Sequence, residues 1–81
     1  MKIYVIFKDT LIGNIRKGQY ISYKVALKYL KKFFKNEEKY YKKLNPLYSL
    51  NWISDNEFNL YLNDIKQNMN YKIEEEDIIE K

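Results

Sequence analysis

The chain has no cysteine and no histidine, and only two glycines and one proline among its 81 residues. Without cysteine there is no disulfide framework and no thiol nucleophile, and without histidine there is no imidazole base. The usual zinc sites are excluded as well, because cysteine and histidine are their ligands. So few glycines and prolines do not make a linker or a low-complexity tail. We therefore expect one ordered domain over residues 1–81, with no metal and no cofactor.

Long hydrophobic runs are also missing. The opening apolar run, Ile3–Phe7, is closed by Lys8 and Asp9 and is too short for the core of a signal peptide. No apolar stretch approaches the roughly 20 residues that span a bilayer. A small domain without disulfides suits a reducing compartment. These absences predict a cytoplasmic protein that makes no contact with a membrane.

Aromatic residues are abundant: nine tyrosines, four phenylalanines and one tryptophan make up 17% of the chain. A chain of this length buries only roughly 60–65% of the surface that its unfolded form exposes. Each buried ring contributes roughly 150–250 Å² of contact area. This aromatic content suits a short chain that must build its core efficiently.

The apolar pattern predicts an α+β fold in the order ββαβαβ, with two helices packed on a small mixed or antiparallel sheet. The continuous run Ile3–Phe7 predicts an internal strand buried on both faces, followed by a turn at residues 8–10. The other predicted strands are 11–15, 47–53, which alternates between apolar and polar residues, and 71–73.

Two segments carry the helical period. Ser22 is predicted to cap the first helix, and Asn45-Pro46 ends it, because the residue before proline avoids the α region. Glu37 projects into the apolar stripe, so residues 22–44 form either one helix or two. Ser54 and Glu57 fit a capping box for a second helix. Its apolar face would contain Phe58, Tyr61, Leu62, Ile65 and Met69.

A stripe of lysines follows the polar face of the first predicted helix. Its members are Lys24, Lys28, Lys31, Lys35, Lys39 and Lys42. The stripe is either a solvated surface or a docking surface for phosphates or an acidic protein. Tyr29 and Tyr40, at the flank of the apolar stripe, are candidate contact residues, because exposed rings serve base stacking and protein hot spots alike. Lysine lacks the fork of arginine, so any nucleic-acid contact would be sequence-neutral.

Charge is divided unevenly along the chain. Residues 1–45 carry a net +9 and residues 46–81 a net −5, with four consecutive acids at Glu74–Asp77. This asymmetry indicates either an interaction surface or internal complementarity, in which the acidic run folds across the lysine stripe. The run itself does not predict a metal site, because consecutive carboxylates on a strand point to opposite faces.

No catalytic motif is present. The only glycines are Gly13 and Gly18, so the glycine-rich phosphate loops and the nucleophile elbow are absent. Arg16, Lys17 and Tyr20 could act as in ribonuclease toxins that work without histidine, yet any lysine-rich domain offers such a triplet. We expect a protein that is not an enzyme, and a ribonuclease is the least favoured function.

The layout resembles that of small proteins of phages and mobile elements in AT-rich bacteria. The resemblance lies in the opening Lys2–Phe7, in Ser22, Ala26 and Tyr29-Leu30 of the first helix, and in the closing Tyr71–Glu75. The best-characterised class among them inhibits host defence and includes the anti-CRISPR proteins. This resemblance implies a non-enzymatic inhibitor or adaptor that binds a host protein or ribonucleoprotein in the bacterial cytoplasm. The alternative is a sequence-neutral nucleic-acid-binding domain that contacts RNA or DNA through the basic helix.

Overall fold

The structure, a computed structural model, describes residues 1–79. Its elements are strands β1 (Lys2–Thr10) and β2 (Gly13–Tyr20), helix α1 (Tyr23–Leu44), and strands β3 (Tyr48–Ser54), β4 (Glu57–Leu62) and β5 (Ile65–Asp77). The strands form one antiparallel sheet in the order β2-β1-β5-β4-β3. Helix α1 packs on one side of this sheet, which we call the helix face, and the other side is the open face.

The predicted order ββαβαβ with two helices is wrong, because the order is ββαβββ with a single helix. The segment predicted as the second helix forms β4 and the first part of β5. Buried Phe58 and Leu60 alternate along β4 with residues of the open face. Asn63 and Asp64 join β4 to β5 with φ angles of 50° and 65°, both in the left-handed region. Positive φ at both central residues is typical of the tight turn that connects two antiparallel strands.

The predicted capping box at Ser54 is also wrong. Ser54 and Glu57 lie opposite each other across the turn that joins β3 to β4. The Ser54 hydroxyl donates to the side-chain oxygen of Asn56 at 2.9 Å and so stabilises this turn. Serine and asparagine form such local hydrogen bonds in turns as readily as at helix starts, so the pattern alone does not separate the two.

The first hairpin is longer than predicted. β1 continues through residues 8–10, and the turn lies at Leu11 and Ile12, which are 81% and 94% exposed. β2 continues to Tyr20, past residue 15, where the strand was predicted to end. Ile6 faces Gly18 and Phe7 faces Arg16, so Lys17 has no partner on β1 and forms a bulge. Residue 18 has no room for a side chain, because a Cβ there would lie 2.6 Å from the Tyr20 hydroxyl.

β5 occupies the centre of the sheet. It was predicted to end near Ile73 but continues to Asp77, and it pairs with all of β1 from Lys2↔Asp77 to Thr10↔Met69. β1 is thus internal, as predicted, with β2 on its other side. The acidic run Glu74–Asp77 is therefore part of the sheet.

Helix α1 is one uninterrupted helix of 22 residues. The predicted N-cap is confirmed, since the Ser22 side chain accepts a hydrogen bond from the Val25 amide at 3.4 Å. At the other end, the Asn45 amide donates to the Tyr41 carbonyl at 3.0 Å, and Pro46 follows. The buried core beneath α1 consists of Ile6, Ala26, Leu30, Leu50, Phe58, Leu60, Met69, Tyr71 and Ile73.

Aromatic rings form the centre of this core. Phe58 on β4 stacks against Tyr71 on β5 with ring centroids 4.9 Å apart. Phe34 on α1 meets the edge of Phe58 at 5.1 Å and stacks on Trp52 of β3 at 4.9 Å. Such pairs add roughly 0.5–1.5 kcal/mol each to the gain from buried area. The ring contacts thus hold the helix to β3, β4 and β5 together.

The open face is mostly polar. Its apolar part is Ile3, Val5 and Phe7 of β1, which are buried although no helix covers them. The Arg16 guanidinium lies 5.5 Å from the centre of the Phe7 ring. One row of directly opposed residues crosses all five strands: Asn14, Asp9, Asn70, Asn59 and Asn51.

Replacing Asp64 by glycine tests the hairpin against the predicted helix. Glycine adopts positive φ without strain, so Asp64→Gly should raise the free energy of unfolding by about 0.5–1 kcal/mol. In a helix, glycine at this position would lower it. Chemical denaturation measures the difference. Asp55→Gly is the matched control, because Asp55 also lies in a hairpin turn but is not among the described residues with positive φ, and it should bring no gain.

Candidate functional site

All six predicted lysines lie exposed on α1. Lys32 and Lys43, which the sequence interpretation left out, are exposed on the same helix. We call these eight residues (Lys24, Lys28, Lys31, Lys32, Lys35, Lys39, Lys42 and Lys43) the lysine face. Among residues 1–79, none of them lies within 4.0 Å of a carboxylate oxygen. The lysine face therefore forms no ion pair within this part of the chain, although Glu38 lines a pocket together with Lys31 and Lys35.

The acidic run does not cover the lysine face. Within β5, Glu75 binds Lys2 at 3.1 Å and Glu76 binds Arg16 at 3.2 Å. Glu74 binds Lys72 of the same strand at 3.0 Å. Lys2 donates a hydrogen bond to Glu75 and Lys72 donates one to Glu74, and these bonds raise the pKa of each lysine. The predicted internal complementarity is thus present in part. The acidic run neutralises cations of the strands, and the lysines of the helix stay without an ion-pair partner within residues 1–79.

Tyr29 lies on the flank of α1 that faces β2. Its ring stacks on Tyr20 with centroids 4.9 Å apart, and the Lys32 ammonium lies 4.9 Å from its centre. Burial and the neighbouring Tyr29 raise the pKa of Tyr20. Tyr29 is still 39% exposed, so it both packs and offers a surface for contact.

Tyr40 is the more exposed of the two predicted contact tyrosines, at 57%. It follows Tyr29 by eleven residues, close to three helical turns, so both rings lie on the same flank. Lys31 and Lys35 lie on the opposite flank, beside β3. The structure therefore does not merge the tyrosines and the six predicted lysines into one patch. By the helical period, Lys32 and Lys43 lie between the two flanks.

A groove between α1 and β3 was not predicted. Its cavity of about 370 Å³ is lined by Tyr23, Leu27, Lys31, Trp52, Ser54 and Asp55. Trp52 forms its apolar wall and is 38% exposed although it stacks on Phe34. The alternation over residues 47–53 predicts that Trp52 shares one face of a half-buried strand with Tyr48 and Leu50, and the structure confirms this. The alternation does not show that this strand is at the edge, where one side of the ring stays open.

The triplet suggested for a ribonuclease is not brought together. Arg16 lies on the open face, where it contacts Glu76 and Phe7. Lys17 and Tyr20 lie on the helix face, since the Lys17 ammonium is 5.9 Å from the centre of the Phe33 ring and Tyr20 stacks on Tyr29. The sheet separates the guanidinium from the other two side chains.

Glu37 connects the helix to the sheet. The Tyr71 hydroxyl donates to its carboxylate at 2.8 Å, and the Lys8 ammonium lies 3.5 Å from the same oxygen. A carboxylate with two such partners is tolerated on the apolar side of a helix. Glu37 therefore does not divide residues 22–44 into two helices. Burial, followed by the hydrogen bond to Glu37, raises the pKa of Tyr71 well above its ordinary value.

Two further findings concern residues 1–79. No group of three or more carboxylates within this part of the chain is placed to hold a metal ion. Its single helix is not apolar enough to cross a membrane.

Comparison with protein-family models, with curated proteins and with solved structures gives no significant match for this chain. The resemblance to small phage-encoded inhibitors thus stays a prediction that depends on size, composition and layout. The site is interpreted from its own residues.

Removing the Tyr71 hydroxyl tests the contact with Glu37. Tyr71→Phe should lower the free energy of unfolding at neutral pH by about 1–3 kcal/mol, because a half-buried carboxylate loses a donor. The wild-type protein should also lose stability above pH of about 10, where an unfolded tyrosine ionises while folded Tyr71 keeps its proton. This loss amounts to at most about 1.4 kcal/mol per pH unit.

Denaturation at a series of pH values from 7 to 11 measures both effects. The slope above pH of about 10 should be shallower in Tyr71→Phe than in the wild type. Tyr40→Phe, which removes an exposed hydroxyl, should keep the wild-type slope. Equal slopes in Tyr71→Phe and the wild type would contradict the raised pKa of Tyr71, and an unchanged free energy of unfolding at pH 7 would contradict the contact with Glu37.

Proposed function

We propose that this protein is a non-enzymatic inhibitor or adaptor that docks its lysine face on an acidic surface of a host protein in the bacterial cytoplasm. One observation carries the proposal. Eight exposed lysines follow one helix without an acidic partner among residues 1–79, while Glu74, Glu75 and Glu76 pair with other cations. A partner with acidic groups supplies the compensation that the chain itself does not.

Self-repulsion along the helix supports this interpretation. Like charges at a spacing of three or four residues destabilise a helix by roughly 0.2–0.5 kcal/mol per pair. Lys24-Lys28, Lys28-Lys31, Lys31-Lys35 and Lys35-Lys39 are all such pairs. Lys24 also lies in the first turn, where the helix dipole disfavours a cation. An acidic partner relieves this repulsion, so part of the binding free energy comes from strain that is present in the free protein.

The lysine face is preorganised. Ala26 and Leu30 are fully buried on the opposite side of α1, and Phe34 is held between Trp52 and Phe58. The helix therefore does not have to form when the partner binds. A rigid binding surface loses less conformational entropy, which improves affinity without new contacts. A charged, rigid face also speeds association by electrostatic steering.

The resemblance to small host-defence inhibitors, including anti-CRISPR proteins, agrees with this mode of action. Such an inhibitor needs no catalytic residues of its own if it blocks a functional surface of a host protein or ribonucleoprotein. The blocked surface would not be the one that binds nucleic acid, because that surface is basic and would repel the lysine face. The lysine face instead favours an acidic patch on the target. Fold and size alone do not select the target.

A second candidate function is sequence-neutral binding of RNA or DNA. The observation in its favour is the stacked pair of Tyr20 and Tyr29, with the Lys32 ammonium 4.9 Å from the centre of the Tyr29 ring. Exposed rings can stack on bases, and ammonium groups beside them can form ion pairs with phosphates. Tyr29 presents only part of its ring, so this surface is smaller than the lysine face.

Charge reversal on the lysine face tests the proposed function. Tagged wild-type protein is used to capture its partner from nuclease-treated bacterial lysate, and the purified partner is then titrated. Lys28→Glu with Lys35→Glu should slow association by about tenfold or more at low salt, because steering is reversed. Melting should be unchanged or slightly improved, since repulsion within the helix falls.

The matched control changes the charge equally at another place. Lys17→Glu with Lys66→Glu also reverses two exposed lysines, one on β2 and one on β5, and neither belongs to the lysine face. It should keep most of the association rate. Equal loss in both double variants would show that only net charge matters and would contradict a defined docking face.

Titration with RNA and DNA decides the second candidate. If six lysines contact phosphates, affinity for generic nucleic acid should fall by about 10³-fold between 50 and 200 mM salt. Fluorescence anisotropy with labelled oligonucleotides of unrelated sequence measures this dependence. Absence of binding at 50 mM salt would remove the nucleic-acid function and leave the protein partner.

A further inference from the structure

The two edges of the sheet differ in how they are protected. β2 carries Arg16 and a bulge at Lys17, two features that prevent a further strand from pairing. β3 has the sequence Tyr-Ser-Leu-Asn-Trp-Ile-Ser, with no charged residue and no proline. An uncharged edge strand of seven residues is a ready template for another chain. The β3 edge is the exposed pairing surface of this sheet.

The free hydrogen-bonding groups of this edge can be assigned. The Asn63 amide donates to the Leu47 carbonyl at 3.0 Å, directly opposite in the register of β3 and β4. In an antiparallel pair, every second residue bonds to the neighbouring strand. Ser49 and Asn51 therefore bond to β4, and the main-chain groups of Leu50 and Trp52 point outward. The edge offers alternating donors and acceptors at the spacing of a strand.

Charged and polar side chains surround these groups. On the helix face, Lys31 and Lys35 lie beside Trp52 in the groove between α1 and β3, together with the acids Glu38 and Asp55. Lys24 and Lys28 continue the same flank, so lysines outnumber acids there. On the open face, Asn51 ends the row of amides that crosses the sheet. A strand added here would place alternate side chains under two unpaired lysines and the others beside Asn51. The helix side of such a strand is thus suited to acidic residues.

We propose that the β3 edge binds an extended segment of an acidic partner protein as a sixth strand. Main-chain hydrogen bonds to Leu50 and Trp52 supply affinity, and carboxylates that face Lys31 and Lys35 supply specificity, as is usual for recognition by strand addition. This inference builds on the proposed function, since it uses the β3 flank of the lysine face. It adds the main-chain contact and the direction of approach.

A second copy of this chain fits the edge less well. Pairing β3 with β3 of another copy would bring two lysine faces to the same side of one continuous sheet. Lys31 and Lys35 of each copy would then approach the positive helix of the other, and like charges across an interface are costly. An acidic strand meets no such repulsion.

Amide hydrogen exchange with a defined peptide tests the inference. The probe is a capped octapeptide of alternating valine and glutamate, and the control peptide alternates valine and lysine. With the glutamate peptide, exchange of the Leu50 and Trp52 amides should slow by about tenfold or more, because they gain hydrogen bonds. The Asn51 amide, already bonded to β4, should not change. The lysine peptide should have no effect.

Three results would overturn the inference. Peptide binding that shifts the lysine resonances but leaves the Leu50 and Trp52 amides unprotected would refute strand addition while the proposed docking by lysines stands. Equal protection by the lysine peptide would refute the acidic partner. Protection that depends on protein concentration without any peptide would identify a second copy as the occupant. Failure of the proposed function itself would show separately, as unchanged partner association in Lys28→Glu with Lys35→Glu.

Discussion

The contact between Phe34 of α1 and the rings of Trp52 and Phe58 is the one on which the rest of the structure depends. A five-stranded sheet of this size has only one helix to cover it, so every apolar residue of the helix face must be buried by the same element. The aromatic contacts span three strands and allow one helix to do so. The opposite side of α1 is then left free of any structural role, and this is where the lysines lie.

Ion pairs are distributed unevenly between the strands and the helix. Acids of β5 neutralise Lys2, Arg16 and Lys72, all of which belong to the strands, at distances of 3.0–3.2 Å. The one acid of α1 with an ion-pair partner, Glu37, is directed to Lys8 and Tyr71 of the sheet. Within residues 1–79, acids of β5 thus pair with three cations of the strands, while none of the lysines of α1 forms an ion pair. A net charge of +4 understates how one-sided the distribution is.

The sequence predicts the first half of the fold better than the second. Ser22, the apolar stripe through Leu30 and the stop at Pro46 act locally, so the helix was found with its cap. Residues 54–69 were misassigned because Phe58, Tyr61, Leu62, Ile65 and Met69 fit a helical period, while Phe58 and Leu60 fit a strand equally well. The feature that distinguishes a hairpin from a helix here is the pair Asn63-Asp64, because both residues tolerate the positive φ of a tight turn between two strands.

The candidate site shows the same division between local and distant information. Exposure of the six lysines followed from the helical period alone. The destination of Glu74–Glu76 and the open ring of Trp52 depend on strand order, which places β5 at the centre and β3 at the edge. Strand order is fixed by contacts between residues far apart in sequence, and no pattern within a short window reports it.

The central position of β5 also has a consequence for how this chain acquires its structure. β1 pairs with residues nearly the whole chain away, and the hairpin of β1 and β2 meets the hairpin of β3 and β4 only through β5. During synthesis, neither hairpin can complete the sheet until residue 77 has left the ribosome. Such high contact order makes folding slow, because loop entropy is lost before the contacts that repay it can form. The newly made chain therefore exposes the edges of β1 and β4 that pair with β5 until its last strand arrives, and the sheet is completed only after synthesis of all five strands.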